Sequence, residues 1–551
     1  MSSEVTLSYS HGASAMTLLG ETIGENLGRV AAAHPDAEVL VDVPTGRRWT
    51  YSVFDAETDT LARGLIAAGL QAGDRVGIWA PNCAEWVQLQ YATAKAGIIL
   101  VNINPAYRSH ELAFALRQSG VRALVSAEQF KTSDYRAMIE EVGPGLPDLE
   151  DVIYVGTPAW HALFESGRAA AGDDPLRERE AGLSFDDPIN IQYTSGTTGF
   201  PKGATLSHHN ILNNALFIGA GCGYSQQDRV CIPVPFYHCF GMVLGNLACT
   251  THGACIVIPA PGFDPALTLR AVQAERCTSL YGVPTMFIAE LALPDFGDYE
   301  LSTLRTGIMA GSPCPVEVMK RVVSEMNMTE VTICYGMTET SPVSTQTTAD
   351  DDMDRRVSTV GRVHPHVEVK IVDPETGRVL PRDTPGELCT RGYSVMLGYW
   401  NEPDKTAEAI DSARWMHTGD LAVMDEAGYL NIVGRIKDMV IRGGENIYPR
   451  EVEEFLYAHP AIEDVQVIGV PDVKYGEELC AWIRLRPGQE LSPDDVREYC
   501  RGKIAHYKIP RYVRFGTDFP MTITGKVQKF KMRETSITEL GLEEASNTRT
   551  A

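Results

Sequence analysis

The residues Tyr193-Thr194-Ser195-Gly196-Thr197-Thr198-Gly199-Phe200-Pro201-Lys202-Gly203 combine three glycines, four small hydroxyl side chains and one lysine. Glycine lets backbone N–H groups approach an anion with no Cβ in the way, and consecutive N–H groups in such a turn form an anion-binding concavity. Thr194, Ser195, Thr197 and Thr198 add hydroxyl donors, and Lys202 adds a full positive charge. This is a loop composed to hold polyphosphate. It is not a Walker loop, whose lysine directly follows a glycine and precedes Ser or Thr; here Gly203 follows Lys202. A dinucleotide fingerprint is also missing, because Gly219-Ala220-Gly221-Cys222-Gly223 is too tightly spaced for G-x-G-x-x-G.

Three further constellations could do chemistry with a nucleotide. In Tyr335-Gly336-Met337-Thr338-Glu339-Thr340, Glu339 is a hard oxygen ligand suited to Mg2+. Thr338 can donate to a phosphate oxygen, and Tyr335 offers a face to a nucleobase. In His417-Thr418-Gly419-Asp420, an ionised Asp420 can accept from two neighbouring hydroxyls at once, the pattern of a ribose diol. In Thr522-Ile523-Thr524-Gly525-Lys526, a lysine just after glycine can swing a point charge onto a reacting centre.

The elements that must position these residues alternate along the chain. Ile189 to Tyr193 and Val331 to Cys334 read as strands leading into the first two constellations. Leu61 to Ala68 reads as a helix, Arg75 to Trp79 as a strand, Trp86 to Ala96 as a helix and Ile98 to Asn102 as a strand. That rhythm predicts layered α/β structure with parallel strands. Val367 to Tyr399 reads as a small β-barrel or distorted sheet, with turn signals at Pro374, Gly377 and Pro385. A boundary falls near Gly434 to Asp438, after which strands (Val465 to Val470, Leu479 to Leu485) and helices (Glu451 to His459, Pro493 to Lys503) predict a small α+β domain.

Bulk composition narrows the function. With 551 residues the chain has room for three or four units at ~150 residues each. Its net charge of −24 argues against nucleic acid or an anionic membrane as the main partner, since both reward a basic face. The twelve cysteines show no C-x-x-C pair and predict reduced, mostly buried thiols in a cytoplasmic protein rather than disulfides or zinc. His208-His209 and His238-Cys239 come without the other ligands a metal site needs. No signal peptide and no transmembrane run of ~18 apolar residues are expected.

Together the four constellations resemble the adenylate-forming, AMP-binding superfamily of acyl-CoA synthetases, luciferases and peptide-synthetase adenylation domains. The resemblance runs from about Glu21 to Glu534. It is closer to the medium-chain acyl-CoA synthetases grouped as acyl-CoA synthetase family member 2, on Gly203 to His208, Gly386 to Tyr393, Val395 to Trp400 and Ile441 to Pro449.

This resemblance implies a large N-terminal domain (residues 1–435) of layered α/β subdomains plus the small β-barrel, and a small mobile α+β C-terminal domain (436–551). It implies ATP, Mg2+ and coenzyme A as cofactor and co-substrates, a small carboxylate as substrate, and is compatible with a homodimer. The loop Thr194, Ser195, Gly196, Thr197, Thr198, Gly199 and Lys202 would hold the β- and γ-phosphates, Thr338 the α-phosphate, and Glu339 the metal. Adenine would lie against Tyr335 and Gly336 with Gly311 and Ser312 at its edge, and Asp420 with Arg435 would take the ribose. Lys526 would bridge carboxylate and α-phosphate, and Lys437 would be the hinge that swaps Lys526 for Gly443, Gly444 and Glu445 at a pantetheine tunnel. His238 would stand near the substrate carboxylate, and an acyl pocket would pass Phe240, Met242, Tyr281, Met309 and Met337. The alternatives are an aryl-CoA ligase and a non-catalytic nucleotide sensor of the same fold. An amino-acid adenylation domain fits less well, because Tyr237, Cys239 and Phe240 offer no carboxylate to a substrate ammonium.

Overall fold

The computed structural model describes residues 6–172, 174–194, 201–312, 314–442, 445–522 and 527–543, with the side chains of Glu445 and Asn446 excepted. Ser195, Gly196, Thr197, Thr198, Gly199, Gly443, Gly444 and Lys526 therefore lie outside the described residues. Among the described residues a seven-stranded sheet has the order Gly398–Tyr399, Lys202–Ser207, Pro188–Thr194, Ile99–Asn102, Arg75–Trp79, Ala123–Ser126, Asp151–Tyr154. Its last five strands are parallel, and Lys202–Ser207 turns back antiparallel on Pro188–Thr194. A nine-stranded sheet is parallel through Glu38–Asp42, Cys255–Ile258, Arg229–Cys231, Ser279–Gly282, Thr306–Ala310 and Glu330–Gly336, with antiparallel strands at its edges. The expected α/β layering is thus present, with Arg75–Trp79 at its expected bounds and Trp86–Ala96 displaced to Ala84–Lys95.

One apolar core joins the inner faces of these sheets. It takes Val76, Ile78 and Leu100 from the first and Leu40, Val230, Ile256 and Ile308 from the second. Every residue of the helix Ala84–Lys95 is buried, as expected of a helix enclosed on all sides. Lys95 at its end is 3% exposed, and its ammonium is paired with Asp55 (2.6 Å) and Asp59 of the neighbouring helix Tyr51–Ala67. Such pairing is what makes a buried charge tolerable. The helix His208–Gly221 starts directly after the hairpin. Ser207 caps it, and Asn210 returns the hydrogen bond, an arrangement worth about 1 kcal/mol. Asn214, fully buried on this helix, both donates to and accepts from the backbone of Val343 on the nine-stranded sheet (2.8 and 3.0 Å).

The β-rich stretch forms a third, antiparallel sheet in the order Tyr9–His11, Val367–Val372, Gly386–Gly392, Met416–Met424, Leu430–Arg435. It carries register shifts at Glu387/Cys389 and Leu421/Ala422, so its strands are locally distorted. A fourth sheet contains Val440–Arg442, Glu445–Ile447, Ile462–Asp472, Gly476–Leu485 and Tyr512–Phe515. The helices Pro449–Tyr457 and Pro493–Cys500 pack on it around a core of their own, including Val452, Leu456, Val465, Ile483 and Val496. None of the twelve cysteines forms a disulfide among the described residues, and all but the half-buried Cys83 are buried. No helix among the described residues is long and apolar enough to cross a membrane.

Glu290, on the helix Pro284–Leu291, breaks the pairing rule that Lys95 obeys. It is 1% exposed, and neither of its carboxyl oxygens meets a hydrogen-bond partner among the described residues. Burial pushes its pKa well above 4.5. Folding therefore retains the proton, and this group's contribution to stability falls as the pH rises above about 4.5 toward the folded value. Glu290→Gln removes that dependence. Its melting temperature relative to the parent is expected to climb by a few degrees between about pH 5 and about pH 8. A constant offset across that range would show that Glu290 does not titrate in this way.

Candidate active site

The ends of the glycine–hydroxyl loop are held by the hairpin, where Thr194 lies opposite Lys202. Thr194 Oγ1 reaches Glu339 Oε1 at 3.4 Å, and Lys202 Nζ sits 4.8 Å from the centroid of the Tyr399 ring, within cation–π range.

Glu339 arrives from the other sheet. The strand Glu330–Gly336 ends in a turn of 3-10 helix, Thr338–Thr340. Gly336 is required where that strand passes its neighbour, because a Cβ there would lie 1.7 Å from Pro342 O. Thr338 and Glu339 are both buried. Glu339 Oε1 accepts from the Tyr399 hydroxyl at 2.8 Å. Among the described residues Oε2 accepts no hydrogen bond and Glu339 forms no salt bridge. A buried carboxylate supported only by hydroxyls, with one oxygen uncommitted, fits a hard divalent cation such as Mg2+, which takes one or two carboxylates beside substrate phosphates. Thr338 Oγ1 lies 3.7 Å from Cys239 Sγ, next to His238. His238 Nδ1 accepts the backbone N–H of Phe240 at 3.1 Å, so the neutral imidazole carries its proton on Nε2.

The nucleoside residues gather beside this turn. Parallel pairing of Ala310 with Cys334 puts Gly311 and Ser312 alongside Tyr335 and Gly336 at the carboxyl ends of adjacent strands, the edge where α/β sheets bind ligands. Asp420 is buried, and it pairs across the third sheet with Arg435. Its Oδ1 accepts from Arg435 Nε at 3.1 Å and its Oδ2 from the Tyr335 hydroxyl at 2.7 Å. Burial first, and then Asp420, pushes the Tyr335 phenol well above its ordinary pKa, so it stays a donor.

The expected acyl side chains divide. Phe240, Met242 and Tyr281 lie in the core between the sheets, and Met337 packs against it. The Phe240 and Tyr281 rings are 5.7 Å apart, and Met242 Sδ accepts amide N–H groups from Asn102 and Gln192 at 3.1 Å each. Met309 is a correction. It belongs to the core on the opposite face of the nine-stranded sheet, with Leu280, Phe287 and Met319, while its neighbours Ile308 and Ala310 face inward.

One cluster escaped sequence reasoning. Glu387 and Cys389 stand two residues apart on one strand, and Cys389 pairs with His417 on the next. Their ligand atoms all lie within 4.8 Å of one another, a spacing a metal could bridge. Hydrogen bonds already join the same atoms: His417 Nδ1 is 2.9 Å from Glu387 Oε2 and 3.5 Å from Cys389 Sγ. Glu387 Oε1 accepts the Gly419 N–H at 3.2 Å. Gly419 has φ +69, a left-handed turn that favours glycine, and Asp420 follows it. The cluster braces the turn that presents Asp420. An E-x-C strand opposite a histidine strand is the signal that could have revealed it.

Parallel sheets with their polar residues gathered at one edge place the molecule among nucleotide-using α/β enzymes. The chain belongs to the AMP-binding enzyme family: that family's model matches residues 27–400, and the model of the AMP-binding enzyme C-terminal domain matches residues 451–526. Bacillus subtilis (strain 168) YngI is 52% identical over 538 residues, covering 94% of this chain and 98% of that protein. The mitochondrial medium-chain acyl-CoA ligase ACSF2 is 47% identical in Danio rerio (98% and 92% covered) and 45% in Homo sapiens (96% and 89%). Among solved structures, ATP-bound MatB from Rhodopseudomonas palustris matches with a TM-score of 0.80 at 30% identity, covering 93% of this chain and 99% of that one. The anthranilate CoA ligase AuaEII in complex with anthranoyl-AMP matches with a TM-score of 0.84 at 27% identity, covering 96% and 99%.

The brace is open to test through its histidine. The Cys389 thiol first, and then Glu387, raise the His417 pKa from 6.5 to about 10. A raised histidine contributes stability that is complete below about 6.5 and lost as the pH rises through about 10. His417→Gln is expected to melt below the parent near neutral pH, with the gap narrowing as the pH approaches 10. A gap that does not depend on pH would remove the charged histidine from the brace.

Proposed function

We propose that this chain is an AMP-forming fatty acid–CoA ligase acting on medium-length acids. The observation that carries the proposal is the meeting of Glu339, Thr194 and Lys202 at the seam of two sheets. Sequence identities of 45% and 47% to proteins named medium-chain acyl-CoA ligases support the choice of acid, as does the apolar setting of Phe240, Met242 and Tyr281.

The chemistry begins from a poor leaving group. A carboxylate cannot expel oxide, so one of its oxygens first attacks the α-phosphorus of ATP, and the bond to pyrophosphate breaks. In the second step the CoA sulfur, having given up its proton, attacks the acyl carbon of the acyl-AMP, and AMP leaves with the former carboxylate oxygen. The loop from Thr194 through Ser195, Gly196, Thr197, Thr198 and Gly199 to Lys202 holds the β- and γ-phosphates, and Thr338 donates to the α-phosphate. Mg2+, when bound, would offset charge developing on pyrophosphate, and Glu339 is the residue to hold it. Tyr335, with Gly336, Gly311 and Ser312, receives adenine. Asp420 and Arg435 receive the ribose, and His238 presents its Nε2 proton toward the acid.

Two negatively charged reactants must converge in the first step, so a positioned cation there contributes on the order of 3 kcal/mol. Lys526 is that cation in this reading. It is carried by a C-terminal domain of residues 436–551 that pivots near Lys437, and Gly443, Gly444 and Glu445 replace it when the thiol enters. The separate core around Val452 and Val465 supports the domain division. Cysteines kept as buried thiols suit a reducing compartment such as the cytoplasm.

Pyrophosphate exchange measured with straight-chain acids of graded length, branched acids and aromatic acids tests the substrate. Maximal exchange with medium straight chains is expected. A preference for aromatic acids would make the protein an aryl-CoA ligase, and no exchange with any acid would make it a nucleotide sensor. Lys526→Ala is expected to lower the exchange about a hundredfold or more, yet to convert supplied acyl-AMP and CoA to thioester at near the parent rate. Equal loss of both half-reactions would contradict the swapping of Lys526.

A further inference from the structure

We infer that Tyr399 is a positioning residue for the first half-reaction: its hydroxyl fixes the Glu339 carboxylate while its ring seats the Lys202 ammonium, so that one side chain sets the spacing between the cation ligand and the phosphate loop. The inference rests on the site read under Proposed function and names the residue that aligns it.

The backbone around Tyr399 is pinned to both partners. Gly398–Tyr399 is a short edge strand antiparallel to Lys202–Ser207, with Tyr399 opposite Ala204. Trp400 N donates to Gly203 O at 2.7 Å and Leu397 N to Thr205 O at 2.9 Å. Met396 N donates to the backbone oxygen of Glu339 itself at 2.9 Å, and Tyr399 N donates to Thr406 Oγ1 at 2.9 Å. The side chain is buried and has two polar contacts at opposite parts of the ring system. Its hydroxyl lies 2.8 Å from Glu339 Oε1, and Lys202 Nζ lies 4.8 Å from its centroid.

The two contacts differ in kind, which makes them separable. A hydroxyl hydrogen bond to an ionised carboxylate is directional and stronger than a neutral one. It fixes Oε1 and so decides where Oε2 points. Burial and the Glu339 charge push the Tyr399 phenol pKa upward, so the hydroxyl remains the donor. The cation–π contact is made by the ring face and survives loss of the hydroxyl. It keeps the lysine ammonium beside the carboxylate without forming an ion pair that would compete with a divalent cation. Tyr399 would thereby hold both Lys202, the cation the phosphates would meet, and Glu339, the residue that would hold the metal.

Tyr399→Phe removes the hydroxyl and keeps the ring; Tyr399→Leu removes both. Calorimetric titration of ATP into each purified protein, with Mg2+ and with a chelator, reads the cation ligand apart from the lysine and needs no turnover. Tyr399→Phe is expected to weaken ATP binding in Mg2+ by about tenfold. In chelator its binding should stay within about twofold of the parent, its melting temperature should stay near the parent's, and the KM for the acid should not move. Tyr399→Leu should weaken binding in chelator as well. Equal weakening by Tyr399→Phe with and without Mg2+, or none in either, would overturn the inference, as would parental ATP binding that Mg2+ leaves unchanged. A parent that binds ATP with a Mg2+ dependence lost in Tyr399→Phe, but shows no acid-dependent exchange, would uphold the inference and reject the ligase reading.

Discussion

A carboxylate buried at the junction of two sheets is the constraint around which this molecule is arranged. Glu339 belongs by backbone to the turn after Glu330–Gly336 of the nine-stranded sheet. Its side chain is held by Thr194 and Tyr399 of the seven-stranded sheet. Taking an ion out of water costs several kcal/mol even after relaxation, and hydroxyl donors recover only part of that. Such a position persists when something positive completes it. The two sheets therefore cannot slide or separate at this edge without exposing the Tyr399 and Thr194 contacts together, and the same three residues border the proposed phosphate site.

Asp420 solves a similar problem in a different way. Both of its oxygens are occupied, one by Arg435 and one by the Tyr335 hydroxyl. In the proposed site an arriving ribose diol would have to share or displace these donors, so binding there would exchange hydrogen bonds rather than create them, with a modest net gain per bond. The benefit is geometric. The Tyr335 ring is fixed by its own hydroxyl, and Gly419 is fixed by Glu387, so the proposed adenine platform and ribose acceptor would be set before ligand arrives. A protein of net charge −24 can bind a polyanion on these terms, because at physiological salt surface charge is screened beyond ~8 Å while local N–H groups and lysines act at contact.

Much of this was legible in the chain, and what was not has a common cause. The α/β alternation, the strand Arg75–Trp79 and the buried thiols follow from local composition and spacing, which act over a few residues. The Glu339–Tyr399 bond spans 60 positions, and the Glu387–Cys389–His417 brace spans two strands paired only after the third sheet has formed. Local patterns such as E-x-C mark the residues, but which strands and turns meet is decided by long-range pairing. Met309 failed for a subtler reason. All of Thr306–Ala310 is buried, as in parallel sheets covered on both faces, so the alternation that would tell an inward side chain from an outward one leaves no trace in hydrophobicity.

The joint between the third and fourth sheets lies beside Asp420, where the proposed pivot of the C-terminal domain would act. Arg435 ends the strand that pairs with Asp420, and the N–H groups of Asp438 and Met439 both donate back to its carbonyl (3.1 and 3.0 Å). Ile436 N donates to Gly419 O at 3.0 Å. The connecting turn is thereby stitched to the ribose-site turn on one side, while Val440 on the other already belongs to the fourth sheet. A rotation about Lys437 must keep or break bonds made by the residue before it, next to Asp420. In the proposed pivot, the C-terminal sheet and the Asp420 turn would be coupled through these bonds, and a ligand would favour one orientation only by its differential affinity for it.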